Sequence, residues 1–144
     1  MKRYVIATAI ILFFAAVSFG LYEFFRQNAH IKDEKPGVVI TAVDLVNQFE
    51  KDTAAANKNF SGKLVLAGGI VSKIDNSSTP AVIFLQAAKQ MSSVKCFMDS
   101  IYKAEYKSVK VGDSINIKGI CIGGEILDFG LGTDVTLKRC VLTH

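Results

Sequence analysis

Hydrophobic and polar positions follow two different patterns along the chain. Residues 4–22 form an apolar run without a charged side chain, whereas residues 38–144 alternate short apolar stretches with polar, glycine-containing turns. A helix of about 20 apolar residues is about 30 Å long, which matches the hydrocarbon core of a bilayer. The first pattern therefore predicts an N-terminal transmembrane helix within residues 1–26, and the second predicts a folded domain.

Flanking charges predict how this helix is oriented. Lys2 and Arg3 precede the apolar run, and positive residues stay on the cytoplasmic side. We therefore expect a single-pass protein of a bacterial inner membrane with its C-terminal domain in the periplasm. The alternative is a signal peptide cleaved near Ala16-Val17-Ser18, which would release the domain into the periplasm. Phe19, Tyr22 and neighbouring apolar residues continue beyond that point and favour the uncleaved helix.

A polar segment separates the apolar run from the domain. Residues 27–37 contain both charge signs and end in Pro36-Gly37, a pair that interrupts regular structure. We interpret residues 27–37 as a linker and residues 38–144 as one domain.

The domain begins with a helical pattern. Leu45, Val46 and Phe49 recur at the spacing of one helix face, and the pattern extends over residues 42–57. Thr41 and Asp44 have the spacing of a capping box. One amphipathic helix is therefore predicted.

Alternating patterns predict five strands after that helix, at residues 63–74, 81–87, 93–99, 114–122 and 134–143. A short helix at residues 101–109 is predicted between the third and fourth strands. Gly68-Gly69 interrupts the first strand, where glycine marks a bend or a close backbone approach. The apolar phase of the last strand slips at Lys138-Arg139, which predicts a β-bulge.

This order of elements predicts an all-β domain with flanking helices. Five strands with a helix between the third and fourth are typical of the OB-fold, a five-stranded Greek-key barrel. Here the barrel would be preceded by one amphipathic helix and the N-terminal transmembrane helix. An open antiparallel sheet with the amphipathic helix on one face is the alternative.

Residues 41–142 resemble the tRNA-anti-like OB-fold proteins, which are small bacterial domains that often follow an export or anchor segment. The segments that carry the resemblance are DLVNQFEKD (44–52), GKLVLAGGIVSKI (62–74), VKCF (94–97), VGDSINIKGICIGG (111–124) and DVTLKRCVL (134–142). The resemblance implies an OB-fold and a link to nucleic acid through similarity to an anticodon-binding domain. It implies no catalytic residues.

Charge argues against a strong polyanion binder. The net charge is +4, but residues 38–144 contain 12 Lys and Arg against 10 Asp and Glu. Nucleic-acid binding depends on a concentrated basic surface. Nucleic acid is therefore a disfavoured partner.

Few residues offer catalytic or metal chemistry. The two histidines are His30 in the linker and His144 at the end of the chain, and carboxylates fall mainly in turns. No phosphate-loop or dinucleotide motif occurs. We expect no catalytic site, no metal and no cofactor.

Three cysteines, Cys96, Cys121 and Cys140, lie on predicted strands. In an oxidising compartment two of them could form one disulfide. Cys121 with Cys140 is favoured slightly over Cys96 with Cys140, and three buried free thiols are an equally open alternative.

The binding face of an OB-fold predicts where a ligand would lie. Phe84 and Phe97 on the second and third strands are candidates for an exposed aromatic platform, with Lys95 and Lys89 as neighbouring cations. Core packing of both rings is the alternative. Tyr102, Lys103, Tyr106, Lys107 and Lys110 form a second basic and aromatic cluster, which we interpret as a solvated helical face.

The sequence therefore predicts a membrane-anchored, non-enzymatic OB-fold binding module that faces the periplasm. Its expected partners are the membrane, through the N-terminal helix, and an envelope protein or a small anionic or glycan ligand. The alternative is an OB domain that binds single-stranded nucleic acid.

Overall fold

The computed structural model describes residues 13–20, 31–89 and 91–143. The chain divides into two compact units, Met1–His30 and Ile31–His144. Each unit is described by itself.

In the first unit, residues 13–20 form an exposed helical stretch. The Phe13 and Phe14 rings meet edge to face, with centroids 6.3 Å apart. The remainder of the predicted transmembrane segment lies outside the described residues. Among those that are described, no helix has both the length and the apolar character needed to cross a membrane.

Over the described part of the second unit, six strands and three helices are present. They are β1 (Val38–Thr41), α1 (Ala42–Lys51), α2 (Thr53–Phe60), β2 (Leu64–Asp75), β3 (Val82–Gln86), β4 (Ser93–Met98), α3 (Lys103–Tyr106), β5 (Ser114–Ile126) and β6 (Thr133–Thr143). Two short 3₁₀ turns, Ser100–Tyr102 and Asp128–Gly130, precede α3 and β6.

Five of the strands close into a barrel. The strands are adjacent in the order β2, β3, β4, β6 and β5, and β5 pairs back onto β2 in antiparallel register from Leu64↔Ile120 to Ile70↔Ser114. This confirms the mostly β, five-stranded closed barrel and excludes the open sheet. The helix between the third and fourth barrel strands is α3. Strand β1, which pairs in parallel with β2 from Val38↔Val65, was not predicted.

The last strand contains the predicted bulge. Lys118 pairs with Val141 and Ile120 pairs with Lys138, so Arg139 and Cys140 together lie opposite Gly119. Arg139 has a φ of 53°, in the left-handed region. The phase slip in the sequence was therefore a correct signal of a β-bulge.

The predicted single helix is two helices separated at Asp52. This residue has an extended backbone (φ −157°, ψ 95°), and its carboxylate accepts a hydrogen bond of 2.9 Å from the Ala55 amide. Aspartate competes for local backbone amides in this way, so the apolar pattern continues while the helix breaks. At the other end, the Thr41 hydroxyl accepts from the Asp44 amide at 3.0 Å, as predicted for the cap.

Helix α1 packs directly against the backbone of the barrel at two glycines, which have no side chain to separate the helix from the strands. A Cβ at Gly69 would come within 2.9 Å of the Ala42 Cβ, and one at Gly124 would overlap the Phe49 ring. Phe49 is fully buried. The two glycines therefore allow the helix to approach β2 and β5 more closely than any larger residue would.

Glu50 on α1 fixes the helix to the connection between β3 and β4. Its carboxylate pairs with the Lys89 ammonium at 2.7 Å and accepts from the Ser92 hydroxyl at 2.9 Å. The Ser92 hydroxyl in turn accepts from the Thr133 amide at the start of β6, at 3.0 Å. The hydrogen bond from Lys89 is the main cause that lowers the pKa of Glu50.

Part of the predicted linker belongs to the domain. Ile31 is buried, and the buried Lys118 ammonium donates to the backbone carbonyls of Lys32 and Glu34, each at 2.7 Å. Lys32 also pairs with Glu105 at 2.6 Å. The domain therefore begins before the Pro36-Gly37 pair. Because the partners of Lys118 are backbone carbonyls, the composition of this segment gave no signal of the contact.

We expect Gly124→Ala to destabilise the domain by about 1–3 kcal/mol, because the added methyl must displace the Phe49 ring in a packed core. Gly37→Ala is the matched control, since its nearest new neighbour, the Leu64 carbonyl oxygen, would lie at an ordinary 3.6 Å. Urea unfolding followed by circular dichroism would measure both. Equal midpoints for the two variants would show that the glycine at position 124 is not required for helix packing.

Candidate binding face

The three predicted ligand-binding residues lie on one face of neighbouring strands. Phe84 pairs directly with Lys95 across β3 and β4, and Phe97 lies two residues further along β4. All three are half-buried, whereas the residues that alternate with them are buried in the barrel. Neither ring belongs to the barrel interior. Their role in binding stays a prediction.

Lys95 is not a free cation. Its ammonium lies 2.7 Å from one carboxylate oxygen of Asp134 on β6, and the Ser93 hydroxyl donates to the other oxygen at 2.8 Å. Asp134 is only 6% exposed. The pair therefore neutralises much of the charge that the sequence alone assigned to Lys95.

A second lysine, Lys73, lies over the Phe84 ring. The sequence pattern does not indicate this residue as part of the binding face. The Lys73 ammonium is 5.4 Å from the centroid of the Phe84 ring, within range of a cation–π interaction. The register of β2 and β3 shifts between Val71 and Lys73, which places Lys73 opposite Phe84. Strict alternation cannot reveal this contact, because the irregularity itself creates it.

Each aromatic ring borders its own groove. The Phe84 groove has a volume of about 600 Å³ and lies between β2, the start of β4 and the turn before β5. Its apolar rim consists of Ile70, Met91 and Val111. The Phe97 groove has a similar volume and extends across β4, β6 and β5. Both are wide surface grooves, which suit an extended ligand better than an enclosed small molecule.

Lys138 and Glu125 carry the charges of the Phe97 groove, beside Lys95. Lys89, the other cation near the predicted platform, pairs with Glu50 and is therefore also engaged. Across the described residues, no three His, Cys, Asp or Glu side chains lie close enough to share a metal ion. His30 and His144 lie outside the described residues.

All three cysteines are free and fully buried. The Cys96 thiol is close enough to Cys140 to raise its pKa, so the structure brings together the alternative pair, Cys96 and Cys140. Burial raises the pKa of Cys121 to about 11. Burial and the adjacent Cys96 thiol raise the pKa of Cys140 above its usual range. Such thiols are poor nucleophiles at neutral pH, which argues against a redox role that needs an accessible thiolate.

Refolding of the reduced, denatured protein in a glutathione redox buffer should join Cys96 to Cys140, because the thiols are accessible before folding is complete and the fold makes these two residues neighbours. Trypsin separates the three cysteines onto the peptides 96–103, 119–138 and 140–144, so mass spectrometry identifies the pair directly. The Cys121→Ser variant should still form the bond, and Cys96→Ser should not. A link between peptides 119–138 and 140–144 would instead support the pairing of Cys121 with Cys140.

Comparison with solved structures identifies relatives of the fold. One is a lipoprotein from Klebsiella pneumoniae subsp. pneumoniae whose name proposes nucleic-acid binding without establishing it. It has 15% identity and a TM-score of 0.55, and the match covers 73% of this chain and 91% of that protein. Another is an OBody bound to hen egg-white lysozyme, with 13% identity, a TM-score of 0.45 and coverage of 60% and 86%. At these identities the likeness concerns the fold alone.

No curated protein sequence matches this chain. A family profile does match, over residues 1–140. The matched range includes the N-terminal apolar run, the helices and nearly the whole barrel. The chain belongs to the tRNA_anti-like family.

Proposed function

We propose that this chain is a non-enzymatic OB-fold binding module that recognises a protein ligand in the Phe84 groove. The observation that carries the proposal is the apolar rim beside the Phe84 ring. Ile70, Met91 and Val111 are 49%, 56% and 62% exposed there. Large apolar side chains that cluster around a groove are typical of protein interaction sites.

The charges of the face support a protein ligand over a polyanion. Lys73, Lys95 and Lys138 are accompanied by Asp134 and Glu125, and the closest of these groups are paired with each other. A nucleic-acid strand gains affinity mainly from several cations that displace counterions. An extended protein segment would instead place an apolar side chain in the groove and hydrogen-bonding groups beside it.

The proposal includes a location. We propose that residues 1–26 anchor the chain in a bacterial inner membrane and that the domain faces the periplasm, where its ligand would be an envelope protein. The charge-free run after Lys2 and Arg3 supports this. The Klebsiella neighbour is named a lipoprotein, and a covalently attached lipid holds a protein at a membrane. Secretion after signal-peptide cleavage would leave the binding proposal unchanged.

A photo-crosslinking amino acid at position 111 should give a discrete protein adduct in the cells that make this protein. The adduct should weaken several-fold in a Met91→Glu background, because a charge on the groove rim opposes burial of an apolar partner. Ile101 is the matched control, since it is 70% exposed and does not border the groove. A crosslinker at position 101 should give no adduct, and Ile101→Glu should not weaken the one at position 111. Equal adducts at positions 101 and 111, or none at 111, would refute the proposal.

Single-stranded nucleic acid is the second candidate. Two aromatic rings on adjacent strands, one of them beneath the Lys73 ammonium, offer a surface on which bases could stack. The name of the Klebsiella neighbour points the same way.

Fluorescence anisotropy with labelled oligonucleotides tests this candidate. If it is correct, affinity falls with added salt and Lys73→Ala reduces the slope of log K against log salt by about 0.7, the value for one lost contact to a single strand. Lys58→Ala, on α2, is the control and should leave the slope unchanged. Lys95→Ala is a poorer choice, because it would leave the buried Asp134 carboxylate without its ion pair. Absence of binding at low salt would exclude nucleic acid and leave the protein ligand.

A further inference from the structure

A cavity separate from both grooves lies between the β2–β3 turn and α3. It has a volume of about 290 Å³ and shares no lining residue with either groove. We call it the α3 cavity. Its size is near the lower limit for small-molecule sites, which suits a compact ligand and excludes a polymer.

Two lysines line this cavity on the same side of the α3 segment. Lys103 and Lys107 are four residues apart, and the backbone at Lys107 is still helical (φ −62°, ψ −28°). Side chains at this spacing project from one helix face. Their ammonium groups therefore contribute positive charge to one wall.

The neighbouring carboxylates are engaged elsewhere. Glu105 pairs with Lys32 at 2.6 Å, and the Asp99 carboxylate accepts from the Ile101 amide at 3.0 Å. Within residues 31–89 and 91–143, neither Lys103 nor Lys107 has an ion-pair partner. The protein therefore leaves both charges available for an anion.

Polar side chains from the β2–β3 turn and from the 3₁₀ turn before α3 can provide hydrogen bonds. The side chains of Asn76, Thr79 and Ser100 line it. In the part of the chain that the structure describes, none of these three side chains has a hydrogen-bond partner within the protein. An amide and two hydroxyls that line the same cavity as two lysines form a donor set that matches a phosphate or carboxylate group.

The remaining wall is apolar. Ile74, Pro80 and Val109 line it, together with Tyr106, which is only 7% exposed. A bare inorganic anion would leave this wall without a partner. A ligand that combines one anionic group with a compact apolar body would use both parts of the cavity.

We propose that the α3 cavity binds a small organic anion, with its phosphate or carboxylate between Lys103 and Lys107 and its apolar body against Tyr106 and Val109. The site is separate from the Phe84 groove and does not depend on the proposed protein ligand. It also changes the interpretation of this basic and aromatic cluster, which the sequence suggested is only a solvated face.

Isothermal titration of the full-length chain with phenyl phosphate, benzoate, inorganic phosphate and phenol tests the proposal. At least one of the two organic anions should bind saturably at millimolar concentration or below, and more tightly than inorganic phosphate or phenol. The tighter of the two identifies phosphate or carboxylate as the preferred group. Absence of binding by both organic anions, or equal binding of phenol, would overturn the proposal.

A double variant assigns the binding to the two lysines. Lys103→Gln with Lys107→Gln should weaken the anion at least about tenfold, because charge-assisted hydrogen bonds are lost. Lys51→Gln with Lys58→Gln removes two charges from the helices α1 and α2 and should leave the affinity within about twofold, as expected for exposed charges screened by salt. Thermal unfolding of both double variants checks that they are folded. Wild-type affinity in the Lys103/Lys107 variant would overturn the proposed site.

Discussion

Helix α1 packs against the backbone at Gly69 and Gly124, where no glycine side chain intervenes. The rest of this domain depends on that close contact. Phe49 fills the space above Gly124 and is completely buried. A barrel of five strands has a limited interior, so one end must be closed by another element to exclude water from the core. Here the helix before the first barrel strand closes it, and the two glycines set how deeply it can pack.

That packing also determines the geometry of the binding face. Glu50, adjacent to Phe49, pairs with Lys89 and accepts from Ser92, which in turn accepts from the amide of Thr133. The turn that carries Met91 to the rim of the Phe84 groove is therefore fixed from the helix side. A rigid rim reduces the conformational entropy that a ligand must overcome when it binds. The Glu50 carboxylate therefore links the packing of the helix to the rim of the proposed ligand groove.

The sequence predicted the features that follow a regular pattern of apolar and polar residues. It did not predict the features that depend on single contacts between side chains. Alternation placed Phe84, Lys95 and Phe97 on one face, and a phase slip located the bulge at Arg139. The same alternation could not place Lys73 over Phe84, because a register shift moves it there. Nor could it show that Asp134 neutralises Lys95, since the two residues lie on strands distant in sequence. Strand β1 was missed because four residues are too few for a periodic signal.

Net charge is informative about this protein only after the ion pairs are known. Residues 38–144 have a small excess of positive charge, which argues against a long polyanion. On the binding face Asp134 is paired with Lys95, and beside it Glu50 is paired with Lys89, so part of the local charge is neutralised there. Around α3, Glu105 is paired with Lys32, and Lys103 and Lys107 line a small cavity that is partly open to solvent. A domain that is nearly neutral overall can therefore present a local cationic site of the size of one small anion. The distribution of ion pairs, and not the total charge, distinguishes the apolar groove proposed to bind a protein from the cationic cavity proposed to bind a small anion.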